Sequence, residues 1–256
     1  MKTILLYILV VIFLDVSAQK NIVIDPGLAN NSEALKVKIG AQTFGKIAKY
    51  KFGEYAVTES KNGWTTTRGN SNFWGTKEES TTRSKFSFVL TNGKSGTAQV
   101  NAATDASIKL KKGLELFSGF YVGDDELQLA EQNFSASIFL NGDTANLWLL
   151  FMKKSVGTES DEPGGAVLTN GKRKIFIVSA TSITNETSRQ LFPARGYQFR
   201  EEEQTLSAVQ YLGAGALGMN KCIVWLHNSL DEETKLLLAA AMTVLLQKEM
   251  TVITDE

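Results

Sequence analysis

One cysteine, one histidine and three prolines are all that 256 residues supply of the side chains that most often bind metals, carry redox chemistry or break strands. With Cys222 alone, no intrachain disulfide forms, and a zinc site built from the usual Cys and His ligands has too few donors. His227 is the single histidine, so Ser-His-Asp and Cys-His schemes survive only if that one ring is the base. Neither sign of charge is in excess: 27 Lys and Arg face 27 Asp and Glu. The basic surplus that nucleic acid rewards is missing. Proline occurs only at positions 26, 163 and 193, which leaves strand interiors largely free of that breaker.

Two apolar runs stand out against this background. The first, Ile4 to Leu14, follows Lys2 and precedes Val16-Ser17-Ala18. That order is the order of a secretory signal peptide (residues 1–18), and the run is too short to span a bilayer. Cleavage near Ala18 leaves 238 of the 256 residues and removes one base and one acid, so the exported chain stays neutral. The expected destination is secreted or periplasmic. Residue 19 is Gln rather than Cys, so attachment of a lipoprotein lipid is not expected. The remaining length supports a proper core, and no long linker interrupts it, so residues 19–256 read as a single domain.

Most of that domain reads as β-structure. Asn92-Gly93, Asn141-Gly142 and Asn170-Gly171 are each flanked by apolar or β-branched residues. Such pairs predict type I′ hairpin turns, in which both central residues have positive φ. They would join 86–90 to 97–101, 137–140 to 145–151, and 166–168 to 174–178. Further β-branched and aromatic runs at 35–39, 46–52, 114–122 and 222–226 bring the total to ten strands or more. A short helix is expected over Asp124–Gln132. The hexapeptide Val-Leu-Thr-Asn-Gly-Lys appears at both 89–94 and 167–172, as a recurring hairpin turn rather than a duplication.

The second apolar run, Leu236 to Leu246, contains one polar residue, Thr243. Ser229-Leu-Asp-Glu232 ahead of it has the form of a capping box. Acidic residues 231–233 suit the positive end of a helix dipole, and Lys248 suits the negative end, giving an expected helix over 230–248. A helix apolar on every side must be enclosed, and strands are the only abundant material to enclose it. The expected fold is mainly β: an antiparallel β-barrel closed around a hydrophobic C-terminal helix. The alternative is a β-sandwich with a terminal helix, in which the helix should keep a polar stripe.

The strand Ile223-Val-Trp-Leu226, the short turn, Asp231 and the Ala- and Leu-rich helix resemble the end of tubby-like barrels, a superfamily that includes the LURP-one-related proteins and the phospholipid scramblases. The resemblance covers mainly residues 206–250. It implies a twelve-stranded barrel around a hydrophobic terminal helix, and membrane lipid as a partner. No motif here matches that family's head-group residues, so none is carried over. The signal peptide is a departure from the family. The Thr-, Asn- and Lys-rich chain after it is similar to secreted proteins of Gram-negative bacterial envelopes.

Candidate sites are few. Lys109, Lys111 and Lys112, and Lys172, Arg173 and Lys174, are two basic sets able to meet anionic lipid head groups or acidic polysaccharide; as ordinary surface they protect strand edges. Trp64 and Trp74 lie in a Ser/Thr/Gly/Asn-rich stretch and are candidates to stack on sugar rings. Gly213-Ala-Gly215-Ala-Leu-Gly218 spells a dinucleotide fingerprint, but a second strand rather than a helix is expected after it, so no dinucleotide is expected. Carboxylates at 124–125 and 161–162 would have to be correctly spaced in three dimensions to serve a hydrolase. No cofactor, metal or nucleic acid is expected. The leading reading is a non-catalytic binding or structural protein of the cell envelope engaging lipid head groups. A carbohydrate-binding module is second, and a hydrolase using acidic loop residues third. The oligomeric state is not legible.

Overall fold

In the computed structural model, residues 21–71, 77–111, 114–117, 120–122, 126–156, 165–183, 193–213 and 221–255 are described. The first strands are β1 (Ser32–Lys36), β2 (Lys38–Ile39), β3 (Tyr50–Phe52), β4 (Tyr55–Asn62) and β5 (Thr66–Ser71). Three long strands follow, β6 (Lys77–Thr91), β7 (Thr97–Lys111) and β10 (Glu126–Leu140), with the small hairpin β8 (Leu114–Phe117) and β9 (Phe120–Val122) between the last two. The rest are β11 (Trp148–Val156), β12 (Ala166–Thr169), β13 (Lys174–Thr181), β14 (Arg195–Glu201), β15 (Gln204–Leu212) and β16 (Ile223–His227). The helices are α1 (Pro26–Asn30) and α2 (Glu232–Asp255). Residues 126–132, expected to be helical, belong to β10. Their backbone pairs with β7 and, from Ala130 on, also with β11, and that pairing overrides a local helical pattern; residues 124–125 lie outside the described residues.

Thirteen strands follow one another in the order β1-β16-β15-β14-β13-β12-β11-β10-β7-β6-β4-β3-β2, each antiparallel to its neighbours, and β5 pairs with β6 off this path. The two ends of this path are separated by Val37 alone. Its amide donates to the Cys222 carbonyl at 3.0 Å, and Gly40 N–H continues the pairing onto Lys49 O at 2.8 Å. One stretch of chain, 32–40, therefore pairs with β16 through its first half and with β3 through its second. The sheet closes on itself as a β-barrel, and the sandwich alternative falls away.

The barrel holds α2. From Leu236 to Leu246 every side chain is buried, and Ala239, Ala240 and Ala241 have no exposed surface. Thr243, the one polar residue of that run, donates its hydroxyl to Ala239 O at 2.8 Å, so nothing in the run is left unsatisfied. Strand positions facing inward are apolar at every second residue: Val100 and Ala102, Ala136 and Ile138, Ile175 and Ile177. Outward positions such as Gln99, Asn101, Asn133 and Ser135 are polar. The outer face is mixed rather than uniformly polar, because Phe151, Phe176 and Val178 are also exposed on it.

The helix begins two residues later than the expected capping box. Asp231 is the cap, taking the Thr234 amide and hydroxyl on its two carboxylate oxygens, each at 2.8 Å. The Thr234 amide bond chiefly holds the Asp231 carboxyl below its ordinary range. Ser229 is occupied with His227 Nδ1 at 2.8 Å. The helix also runs past 248 to Asp255, so Lys248 is not at its end; it pairs with Glu249 at 2.7 Å.

A second, smaller core lies outside the barrel wall. Residues 21–31 strap across β13–β16, with Ile22 and Leu28 packed on Ala180, Ala208, Ile223 and Trp225. Ile22 and Asp25 amides donate to the side-chain carbonyls of Gln210 and Gln198, both at 3.0 Å. Covered on both faces, β15 and β16 are buried almost continuously instead of alternating.

Because Ala240 is enclosed on all sides, Ala240→Asp places an unpaired charge in the barrel's centre, at a cost of several kcal/mol against a total stability of about 5–15 kcal/mol. That variant should be unfolded by circular dichroism at 25 °C. A cooperative melt like that of the unsubstituted protein would show that α2 is not enclosed.

Candidate functional site

An antiparallel meander puts alternate connections at opposite ends of the barrel. At the end where α2 starts, the connections are tight: 53–54, 92–96, 141–147, 170–173, 202–203 and 228–231. Asn141 and Gly142 both have positive φ, 52° and 74°, as the type I′ expectation requires. The other two pairs work differently. Asn92 and Asn170 keep ordinary φ and use side-chain oxygens as acceptors, Asn92 for Lys94 and Gly96 amides, Asn170 for Lys172 and Arg173 amides. Connections at the opposite end are longer, and we call it the open end.

The two basic sets lie at opposite ends. Arg173, in the β12–β13 turn, is already committed: its guanidinium meets Glu201 through two bonds of 2.8 and 2.7 Å and lies 5.7 Å from the centre of the Trp148 ring. That paired hydrogen bond raises the Arg173 pKa and holds the Glu201 carboxyl below its ordinary range. Lys172 and Lys174 flank it as exposed residues. Lys109 and Lys111 lie at the far end of β7, Lys109 in register with Glu79 and Leu129, Lys111 with Lys77 and Glu126. Fourteen residues of extended chain separate Lys111 from the turn end, about 45 Å, so no compact ligand spans both sets. Lys112 and Trp74 lie outside the described residues, as do carboxylates 124–125 and 161–162, together with Gly215 and Gly218. Gly213 packs against the Gln210 side chain between β15 and β16.

Metal ligands are not gathered among the described residues. No cluster of three His, Cys, Asp or Glu side chains is present there. His227 Nδ1 meets the Ser229 amide at 3.3 Å and the Ser229 hydroxyl at 2.8 Å. Cys222 is buried, its thiol pushed up to about 11 by that burial, which keeps it protonated and unreactive.

Comparison with known proteins adds nothing to this. No family model, no curated protein and no solved structure matches the chain.

Three further features stand out, the first toward the open end and the other two partway along the outer wall. First, β12 is only four residues long, and beyond it the wall has a slot of about 870 Å³ between β11 and β13. Its floor is a closed charge network: the Glu249 carboxylate accepts from Tyr197 at 2.8 Å and from Lys248 at 2.7 Å. Burial first, then the Glu249 charge, pushes the Tyr197 hydroxyl well above its ordinary pKa. Second, on the outer wall over β4, β6 and β7, a recess of about 450 Å³ gathers Lys46, Lys49 and Lys61 above Ser87, Gln99 and Asn101, with Glu59 as its one carboxylate. Third, Phe44 and Trp64 are 95% and 84% exposed, with ring centres 6.5 Å apart. Sequence reading singled out Trp64 but missed the lysine recess. Those three lysines are spread over sixteen positions and two elements, and only the β2–β3 connection folding onto β4 gathers them.

If Arg173 is structural, Arg173→Gln and Glu201→Gln should each lower stability by about 1 kcal/mol or less. The double variant should lose little more than either single one, as measured by urea unfolding. Fully additive losses would mean the pair contributes nothing.

Proposed function

We propose that this is a secreted, non-catalytic binding protein of the cell envelope that uses its barrel as a rigid scaffold for an anionic lipid head-group site. The observation that carries this reading is the outer-wall recess: three lysines converge on it with a single opposing carboxylate, above a floor of hydrogen-bonding Ser, Gln and Asn side chains. A phosphate ester offers the charge and acceptor oxygens that such a recess lacks. The recess replaces the two basic sets as the preferred site, because Arg173 already has its carboxylate and Lys109 sits in register with Glu79. The reading also places the chain among tubby-like barrels. In support, β1 and β2 act as one closing strand, which makes the thirteen-strand path twelve strands around a C-terminal helix.

A carbohydrate-binding role is second, favoured by the exposure of Trp64. Against it, the Phe44 and Trp64 rings meet at 82°, so they do not form one flat ledge for a sugar ring.

Flotation with phosphatidylcholine vesicles of graded phosphatidylglycerol content separates these readings. Head-group binding predicts association that rises with anionic content, falls between 50 and 300 mM salt on the Debye scale of roughly 8–10 Å at physiological strength, and drops about tenfold or more in Lys46→Gln/Lys49→Gln/Lys61→Gln. Association with no anionic vesicle at low salt would remove the lipid reading and leave glycans as the ligand class to test.

A further inference from the structure

The most exposed large apolar side chains among the described residues are Phe44 and Trp64, and the backbone is built to hold them out. Phe44 is the second residue of a turn closed by Lys46 N–H to Thr43 O at 3.0 Å, with Gly45 at φ 71° behind it. A side chain at that corner points away from the barrel, and there Phe44 meets the Trp64 ring. Ile47 and Ala48, both buried, anchor the turn to the barrel. Trp64 sits where the edge of the sheet is interrupted: Asn62 pairs with Phe86 and Thr66 with Arg83, so three residues stand opposite two. Gly63 makes the bulge possible, since a Cβ there would lie 2.9 Å from Lys85 O. The two loops are tied together by Asn62 N–H to Gly45 O at 2.8 Å. Two aromatic rings are thus presented edge to face on a fixed support, with Lys46, Lys61 and Lys85 adjoining them in sequence and pairing.

We propose that Phe44 and Trp64 form a wedge that enters the interface of a bilayer bearing anionic lipid, while the adjoining lysines engage its head groups. A Phe with no polar atom gains nothing from a polar surface, and Trp partitions to the boundary between head groups and acyl chains. Lysines beside the rings complement the negative surface potential of that bilayer and no feature of a neutral one. This inference rests on the head-group reading for its choice of membrane, but the wedge has a separate signature. Lysine contacts stop at the phosphates, whereas the rings reach the chains.

The test uses the chain from Gln19 onward, which contains every described element, with vesicles of phosphatidylcholine and phosphatidylglycerol carrying brominated acyl chains. The expected result is quenching of tryptophan fluorescence that disappears in Trp64→Phe, together with about tenfold weaker association for Phe44→Ala at an unchanged melting temperature. Salt-sensitive association without Trp64-dependent quenching would overturn the wedge and leave the head-group reading standing. Trp64-dependent quenching that is equal on neutral vesicles would overturn the lysine half of the proposal. No association with any vesicle would overturn both.

Discussion

Every part of this fold answers to one requirement: eleven consecutive helical residues, Leu236 to Leu246, have no face that suits water. An amphipathic helix settles on one side of a sheet, but this helix needs contact all round. A closed sheet is the arrangement that surrounds a helix while leaving no backbone edge unpaired around most of its circumference. Closure in turn requires a strand that belongs to both ends of the sheet, and residues 32–40 supply it by pairing with β16 and then with β3. Small residues on the helix, Ala239 to Ala241, let the wall approach it. Inside the wall only Thr205 and Ser207 have buried hydroxyls with no partner among the described residues, on the strand that the N-terminal strap presses inward.

Along the middle of the helix, Leu236 to Leu246, every side chain is packed against the wall. Binding chemistry is therefore displaced to the ends and the outer wall, where the chain has charge to spare. The turn end is consumed by structure: Lys94 joins Glu232 and Glu54, and Arg173 joins Glu201. Away from that end the constraints relax. A slot lies beside the short strand β12, and on the outer wall over β4, β6 and β7 the β2–β3 connection carries lysines and an exposed Phe. Tight, internally bonded turns at one end and exposed side chains on the outer wall suit a scaffold that presents a surface.

How much of this was legible follows from how local each signal is. Periodicity needs only a window of residues, so the apolar helix and the need to enclose it were readable, as was the pairing across the Asn-Gly turns. Features that depend on distant partners were not. Residues 126–132 have a helical pattern that pairing with β7, and from Ala130 on with β11, overrules. Asp231 rather than Ser229 caps α2 because Thr234 offers it two donors at once, a detail of side-chain reach and not of spacing. The strap of residues 21–31 has its apolar residues (Ile22, Val23, Ile24, Leu28, Ala29) in two short groups with no sustained period, and the strands it docks on are distant in sequence, yet it explains why β15 and β16 lack alternation. Trp64 was visible as an aromatic in a polar stretch. Its partner Phe44 and the lysine recess, assembled from loops that meet only in three dimensions, were not.

Native-state hydrogen exchange across α2 tests the central claim most directly. A helix enclosed by a closed barrel has no route to solvent short of opening the barrel itself. Amides from residues 237–246 should therefore exchange only through global unfolding, with the same free energy and the same denaturant dependence as β10 and β15. Exchange of those amides through a lower-energy, denaturant-independent opening, while the strands stay protected, would mean that the helix leaves the sheet on its own and that the barrel does not depend on it.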